Sequence, residues 1–213
     1  MKLFLSDFDG TLVNRDILDV LCGITGNEEA SEKLNMEFIV GKREGLPTLK
    51  KRIDFLNGVT LSDVFNKLNE NNFLIEGAYE LFAELKKRGV TTVLHSGNLV
   101  PVLQYYQKEL GIDYIIGNKP RMNKDTILGI ELEDFAGNDF KVKGCRDIID
   151  KFSIDKMDII AIGDSPSDRA VFGLANRKIV INAKAGIEKE ADIILKNSLL
   201  ELIPYLDEII GEK

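Results

Sequence analysis

Cysteine is scarce in this 213-residue chain: Cys22 and Cys145 stand far apart and without CxxC spacing. That excludes a disulfide framework and a cysteine-built zinc site, and fits a reducing compartment. An excess of basic residues is also missing, since 28 Lys and Arg face 35 Asp and Glu for a net charge of −7. Nucleic acid and anionic lipid surfaces both call for clustered positive charge, so neither is an expected partner. No uninterrupted apolar run approaches the roughly 20 residues of a membrane-spanning helix. The opening residues Met1 to Asp7 reach an acidic side chain too early for a signal peptide. Internal repeats, low-complexity tracts and linkers are absent as well. The expectation is a soluble, cytoplasmic protein with a small-molecule partner.

What the chain has is enough apolar residue, 44%, for a sizeable core. Short apolar runs at 3–8, 90–95, 113–116, 157–162, 178–181 and 192–195 read as buried strands. Between several of them lie stretches of helical period, such as Leu81 and Leu85 followed by Lys86-Lys87-Arg88 and a stop at Gly89. The alternation predicts an α/β core, a mostly parallel sheet with helices on both faces. Residues 14–75 break it. They read as consecutive amphipathic helices inserted after the first strand, with Leu46, Leu49, Ile53 and Leu56 on one face and Leu61, Val64, Phe65 and Leu68 on another. The expected division is therefore a core of 1–13 and 76–213 and a helical unit of 14–75. A second irregular stretch, 118–140, contains the alternating run Ile127 to Leu132 and predicts a hairpin there.

Asp7-Phe8-Asp9-Gly10-Thr11 sits where the first strand ends, the edge at which open α/β sheets bind ligands. Residues two apart on an extended segment share a side, so Asp7 and Asp9 repel each other and attract a hard cation. A lone pair of this kind is equally consistent with a solvated turn. Three further segments converge on the same edge. His95-Ser96-Gly97-Asn98 ends a strand with a hydroxyl followed by glycine, suited to phosphate oxygens. Lys143 opens a predicted helix, and Gly163-Asp164-Ser165-Pro166-Ser167-Asp168 ends another strand with two carboxylates four apart.

In that order the segments resemble the four motifs of the haloacid dehalogenase superfamily: DxDxT, a strand-ending Ser or Thr, a Lys, and GDxxxD. The Ser96-Gly97 pair and a helical insert directly after the first motif are most similar to its phosphoserine phosphatases. The resemblance implies a Rossmann-like fold and a phosphomonoesterase using Mg2+. It implies Asp7 as covalent nucleophile forming an aspartyl phosphate, and Asp9 as general acid and base. Ser96, Gly97, Asn98 and Lys143 would hold the phosphoryl group. Asp7, the carbonyl of Asp9, and Asp164 would hold the metal, with Asp168 orienting metal waters or the lysine; a helix-start carboxylate is the plainer reading of Asp168.

The same resemblance implies Asp16 for a substrate amine and Arg52 for a substrate carboxylate, with Ser167 near the substrate. Asp16 serves equally as a helix N-cap, and Lys50-Lys51-Arg52 reads alternatively as a solvated face. Two positions depart from the family pattern: Gly45 stands where a phenylalanine is common, and Ser167 where an asparagine is. His95 is expected to face away from Ser96, because adjacent strand residues alternate, and Cys145 to be a small buried apolar group. The leading expectation is phosphoserine hydrolysis. Its rivals are the same chemistry on a sugar or sulfur-salvage phosphate, and a non-catalytic phospho-switch module.

Overall fold

The computed structural model describes residues 1–211 except 136 and 138. Its centre is a six-stranded sheet, all neighbours parallel. In chain order the elements are β1 (Leu3–Asp7), α1 (Ile17–Cys22), α2 (Glu28–Ile39), α3 (Gly45–Asp54), α4 (Leu61–Asn69), α5 (Ala78–Lys87), β2 (Thr91–Leu99), α6 (Val100–Leu110) and β3 (Tyr114–Asn118). Then come β4 (Met122–Asn123), β5 (Thr126–Ile127), α7 (Phe140–Phe152), β6 (Ile159–Gly163), α8 (Arg169–Phe172), β7 (Arg177–Ile181), β8 (Ile193–Leu195) and α9 (Leu206–Ile210). The sheet runs β3-β2-β1-β6-β7-β8, so the order reverses beside β1. Each apolar run read as a strand is one, and β1 is buried along its whole length, as a central parallel strand covered on both faces must be.

Helices α1 to α4 follow β1 without an intervening strand among the described residues. The chain enters and leaves them at one neck: Asn14 N–H donates to Phe73 O, Ile75 N–H to Leu12 O, and Val13 bridges Leu74. Ile53, Leu56, Val64 and Leu68 are buried in the same apolar cluster as Phe4, Phe8 and Leu12, so helices and sheet share a core. Leu46, Leu49 and Phe65 pack against it half-buried.

The hairpin differs from the expectation. Its strands are β4 and β5, turning at Lys124 and Asp125, and Leu132 begins a 3-10 turn instead. The reason is tertiary. Ile127 N–H donates to Val59 O, Gly58 N–H to Ile127 O and Leu61 N–H to Asp125 O, so the loop before α4 captures the β5 edge and fixes the register.

Gly77 caps α5 at φ +86°, and a β-carbon there would run into the backbone nitrogen of Leu200. Gly77→Ala should therefore destabilise the fold by about 1–3 kcal/mol in urea unfolding. Unchanged stability would mean that the Leu199–Leu200 turn is free to shift.

Candidate active site

The strand ends bring Asp7, Asp9, Asp164 and Asp168 to one edge of the sheet. Asp7 closes β1 and is buried; its carboxylate accepts from Lys141 Nζ at 2.7 Å and from the Thr11 hydroxyl at 3.4 Å. Asp9, half-buried, accepts from the Ser96 hydroxyl at 3.0 Å and from the N–H of Ile17, the first residue of α1, at 2.8 Å. Burial, then the charges of Asp16 and Asp7, push the Asp9 pKa well above the usual carboxylate range. The two carboxylates of the first motif thus differ: Asp7 faces an ammonium, while the pKa of Asp9 is raised.

The lysine that the fold brings to Asp7 is Lys141, and Lys143 is not at the edge. Helix α7 begins at Phe140, so Lys141 and Cys145, four apart, share its inward face, while Lys143, two further round from Lys141, is exposed. Lys141 Nζ also lies 3.5 Å from Asp168 Oδ1. Burial alone would lower the Lys141 pKa, but Asp7 and Asp168 outweigh it and keep the group charged.

Asp168 is fully buried. Its Oδ2 accepts from the Asp164 and Ser165 N–H groups at 3.2 and 3.3 Å, so it closes the turn after β6 and presents its other oxygen to Lys141. The turn-closing role expected of a carboxylate at a helix start is present, and the lysine that Asp168 meets is Lys141 rather than Lys143. Burial and the charge of Asp7 raise its pKa to about 7 against the pull of Lys141. Ser167 is exposed and shares a hydrogen bond with Ser165.

His95 does not turn away. It pairs in register with Asp7 across β1 and β2, and paired residues on adjacent strands share a face, so its Nδ1 lies 3.8 Å from Asp7 Oδ1. Ser96 still reaches Asp9 because β2 shifts register between His95 and Leu99. The ring is wholly buried with neither nitrogen hydrogen-bonded among the described residues. Burial and Lys141 push its pKa down to about 3, so it is neutral packing. Cys145 is buried as expected, its thiol raised to about 12 by burial.

The irregular strand end is held by hydrogen bonds that sequence reasoning did not anticipate. Asn98 N–H donates to Ser96 Oγ at 2.9 Å, and Asn118 Nδ2 to Gly97 O at 2.7 Å. Asn98 is buried with its Nδ2 unpartnered among the described residues. From the helices, the Leu49 side chain reaches Gly97, 3.4 Å from where a β-carbon would stand.

Arg52 is buried, so it is no part of a solvated face. Its guanidinium donates to Asp16 at 2.6 Å, Asp19 at 2.9 Å and the Ser31 hydroxyl at 2.9 Å. Asp16 caps α1 through the Asp19 N–H and also accepts from Asn35 at 2.9 Å. Asp19 and Asn35 carried no motif; the three-residue step from Asp16 to Asp19 on one helix face was the available signal. At Gly45 the ring of Phe38 closes over the α-carbon, leaving 3.2 Å to where a β-carbon would stand.

For a cation, Asp7, His95 and Asp168 bring ligand-type atoms within 4.8 Å of one another. Lys141 already answers that group. The better place is Asp164, buried beside Asp7, whose charge raises its pKa after burial does. Its Oδ2 has no well-formed hydrogen bond, although Lys184 Nζ lies 2.5 Å away. Hard oxygen donors, excess negative charge and a buried oxygen with no well-formed hydrogen bond fit magnesium. Lys184 itself was missed, as a lone lysine in a loop with no recognisable spacing.

Comparison with known proteins agrees with this edge chemistry. A family model for haloacid dehalogenase-like hydrolases matches residues 4–172. A phosphoserine phosphatase of Methanocaldococcus jannaschii is 31% identical over 210 residues, 96% of this chain and 97% of that one. One from Wolinella succinogenes is 28% identical over 97% of this chain and 100% of its own length. A solved substrate-bound phosphoserine phosphatase complex matches with a TM-score of 0.83 at 29% identity, covering 96% of this chain and 97% of the other. A phospho-aspartyl intermediate analogue of phosphoserine phosphatase matches at 0.83 and 28%, covering 96% and 98%. The chain belongs to the haloacid dehalogenase-like hydrolases, in their phosphoserine phosphatase-like branch, and is a phosphoric monoester hydrolase.

Proposed function

We propose that the protein hydrolyses phosphoserine through an aspartyl phosphate on Asp7, with residues 14–75 serving as a cap over the site. The observation that carries the chemistry is the split environment of the two carboxylates, Asp7 against Lys141 and Asp9 with a raised pKa. Asp7 attacks phosphorus in line. Asp9 gives its proton to the departing seryl oxygen and then takes one from the water that hydrolyses the acyl phosphate. Lys141, Ser96 and the backbone N–H groups around Gly97 hold phosphoryl oxygens, so positioning and charge neutralisation supply most of the catalysis. Magnesium would be held by Asp7, the Asp9 carbonyl and Asp164, and would neutralise phosphoryl charge there. Buried free thiols suit the reducing cytoplasm, where we place the activity.

Phosphoserine is supported by relatives that carry that name over nearly their whole length, and by an acid and an arginine near Asp9, suited to an amine and a carboxylate. One observation favours a second reading, a sugar or sulfur-salvage phosphate: Arg52 already holds two carboxylates and a hydroxyl. Magnesium-dependent phosphate release across phosphoserine, phosphothreonine, sugar phosphates and an aryl phosphate separates the two. Release from none of them would overturn both.

Asp7→Asn should lower turnover by a factor on the order of 10^4 or more while the fold persists; substantial residual activity in a sample checked for deamidation would unseat the nucleophile. Lys141→Met should cost about 10^2- to 10^3-fold in kcat, the scale of one transition-state charge contact. Lys143→Met should leave kcat unchanged, and the reverse pattern would restore Lys143. Arg52→Ala should cost roughly 2–5 kcal/mol in kcat/KM for phosphoserine and far less for a carboxylate-free aryl phosphate. Equal losses on both substrates would reduce Arg52 to holding the helices together.

A further inference from the structure

Lys184 stands outside every motif, yet the fold is built to bring it to the catalytic edge. It lies in the loop after β7, where Asn182 and Ala185 both adopt left-handed backbone, at φ +50° and +51°. Such geometry is costly for residues with a β-carbon and persists where surroundings hold it. Lys184 N–H donates to Asp164 O at 2.8 Å, and Asn182 Nδ2 to Gly10 O at 3.2 Å, so the loop is tied to both the first and the fourth motif. At the end of this arrangement the ammonium rests 2.5 Å from Asp164 Oδ2. Gly10 closes the far side: a β-carbon there would collide with the Asp164 carboxylate and lie 2.7 Å from Lys184 Nζ. The oxygen is thus enclosed by backbone on one side and by a lysine on the other.

The two lysines of the site differ in kind. Lys141 is mostly buried, its side chain 18% exposed, and fixed between Asp7 and Asp168, whereas the side chain of Lys184 is 51% exposed and has one ion pair among the described residues. A flexible four-carbon stem reaching out to water lets Lys184 leave without disturbing the core. A divalent ion on Asp164 Oδ2 would sit about 2 Å from that oxygen. Two positive charges cannot share it at such distances without strong repulsion.

We propose that Lys184 is a gate on the metal position: its ammonium and the divalent cation occupy Asp164 Oδ2 alternately, so that Lys184 sets the cation affinity. This rests on Asp164 as a metal ligand. Lys184 is then a positioning residue, keeping the buried carboxylate paired and swinging into solvent when the ion arrives. It moderates affinity at a site where several carboxylates would otherwise bind a cation tightly.

The test is calorimetric titration of Mg2+ into metal-stripped wild type, Lys184→Met and Lys184→Arg. Lys184→Met should bind about ten-fold more tightly, the effect of removing one charge contact in a partly solvated site. Lys184→Arg, which keeps the charge, should bind no more tightly than wild type. Amine labelling of the wild type, followed by mass spectrometry, asks the same question without a variant: Mg2+ should speed modification of Lys184 several-fold and leave Lys141 protected. Equal affinities in wild type and Lys184→Met, or Lys184 labelling indifferent to Mg2+, would overturn the gate. Absence of Mg2+ binding in all three proteins would instead remove the metal reading, and the gate with it.

Discussion

Four carboxylates crowd the carboxyl edge of the sheet, three of them buried, and their mutual repulsion is the constraint around which the rest of the site is arranged. Carboxylates removed from water are tolerated when they are paired, protonated or bound to a cation. Pairing and raised pKa values divide the four between them. Asp7 is paired with Lys141, Asp9 and Asp168 have raised pKa values, and Asp164 rests against a lysine that can leave. The apolar faces of β1 and β6 hold these groups in place, because strands buried on both sides cannot relax to separate them.

Asp9 is coupled directly to the helices. The N–H of Ile17, at the open end of α1, donates to Asp9, and Asp16 at the same end adds the charge that raises the pKa of Asp9. Asp16 is in turn held by Arg52 of α3 and Asn35 of α2. A displacement of these helices would therefore alter both the hydrogen bonding and the protonation of Asp9.

The parts legible in the sequence are those where a local rule and the tertiary fold agree. The six strands were readable because buried parallel strands are unbroken apolar runs, and Asp7, Asp9 and Asp164 because they terminate or directly follow such runs. Lys143 was misread for Lys141 because which face of a helix turns inward depends on where it starts, and nothing local marks Phe140 as the first residue. The facing of His95, though not its burial as a packed histidine, was misread because alternation within β2 was considered without the in-register partner on β1. Lys184 was invisible for a different reason: a left-handed loop of Asn, Ala, Lys and Ala has no compositional mark, and its meaning comes from Asp164 and Gly10, which lie far away in the chain.

The contrast extends to specificity. Asp7, Ser96 and Asp164 hang from or directly follow strands whose spacing the sheet dictates, so a change of one residue leaves the others in position. The substrate side rests on α1, α2 and α3, and there a change in one helix is absorbed by another. Gly45 removes a side chain from α3, and the ring of Phe38, brought by α2, lies across the gap. Arg52 of α3 is balanced by Asp16 and Asp19 before and within α1, so its reach toward a ligand depends on how far those carboxylates release it. A ligand carboxylate would have to compete with two acids already in contact, while a ligand amine would join a cluster with one negative charge in excess. On the proposed reading, recognition of an amine by Asp16 and Asp19 would therefore be the less costly half of binding a zwitterion.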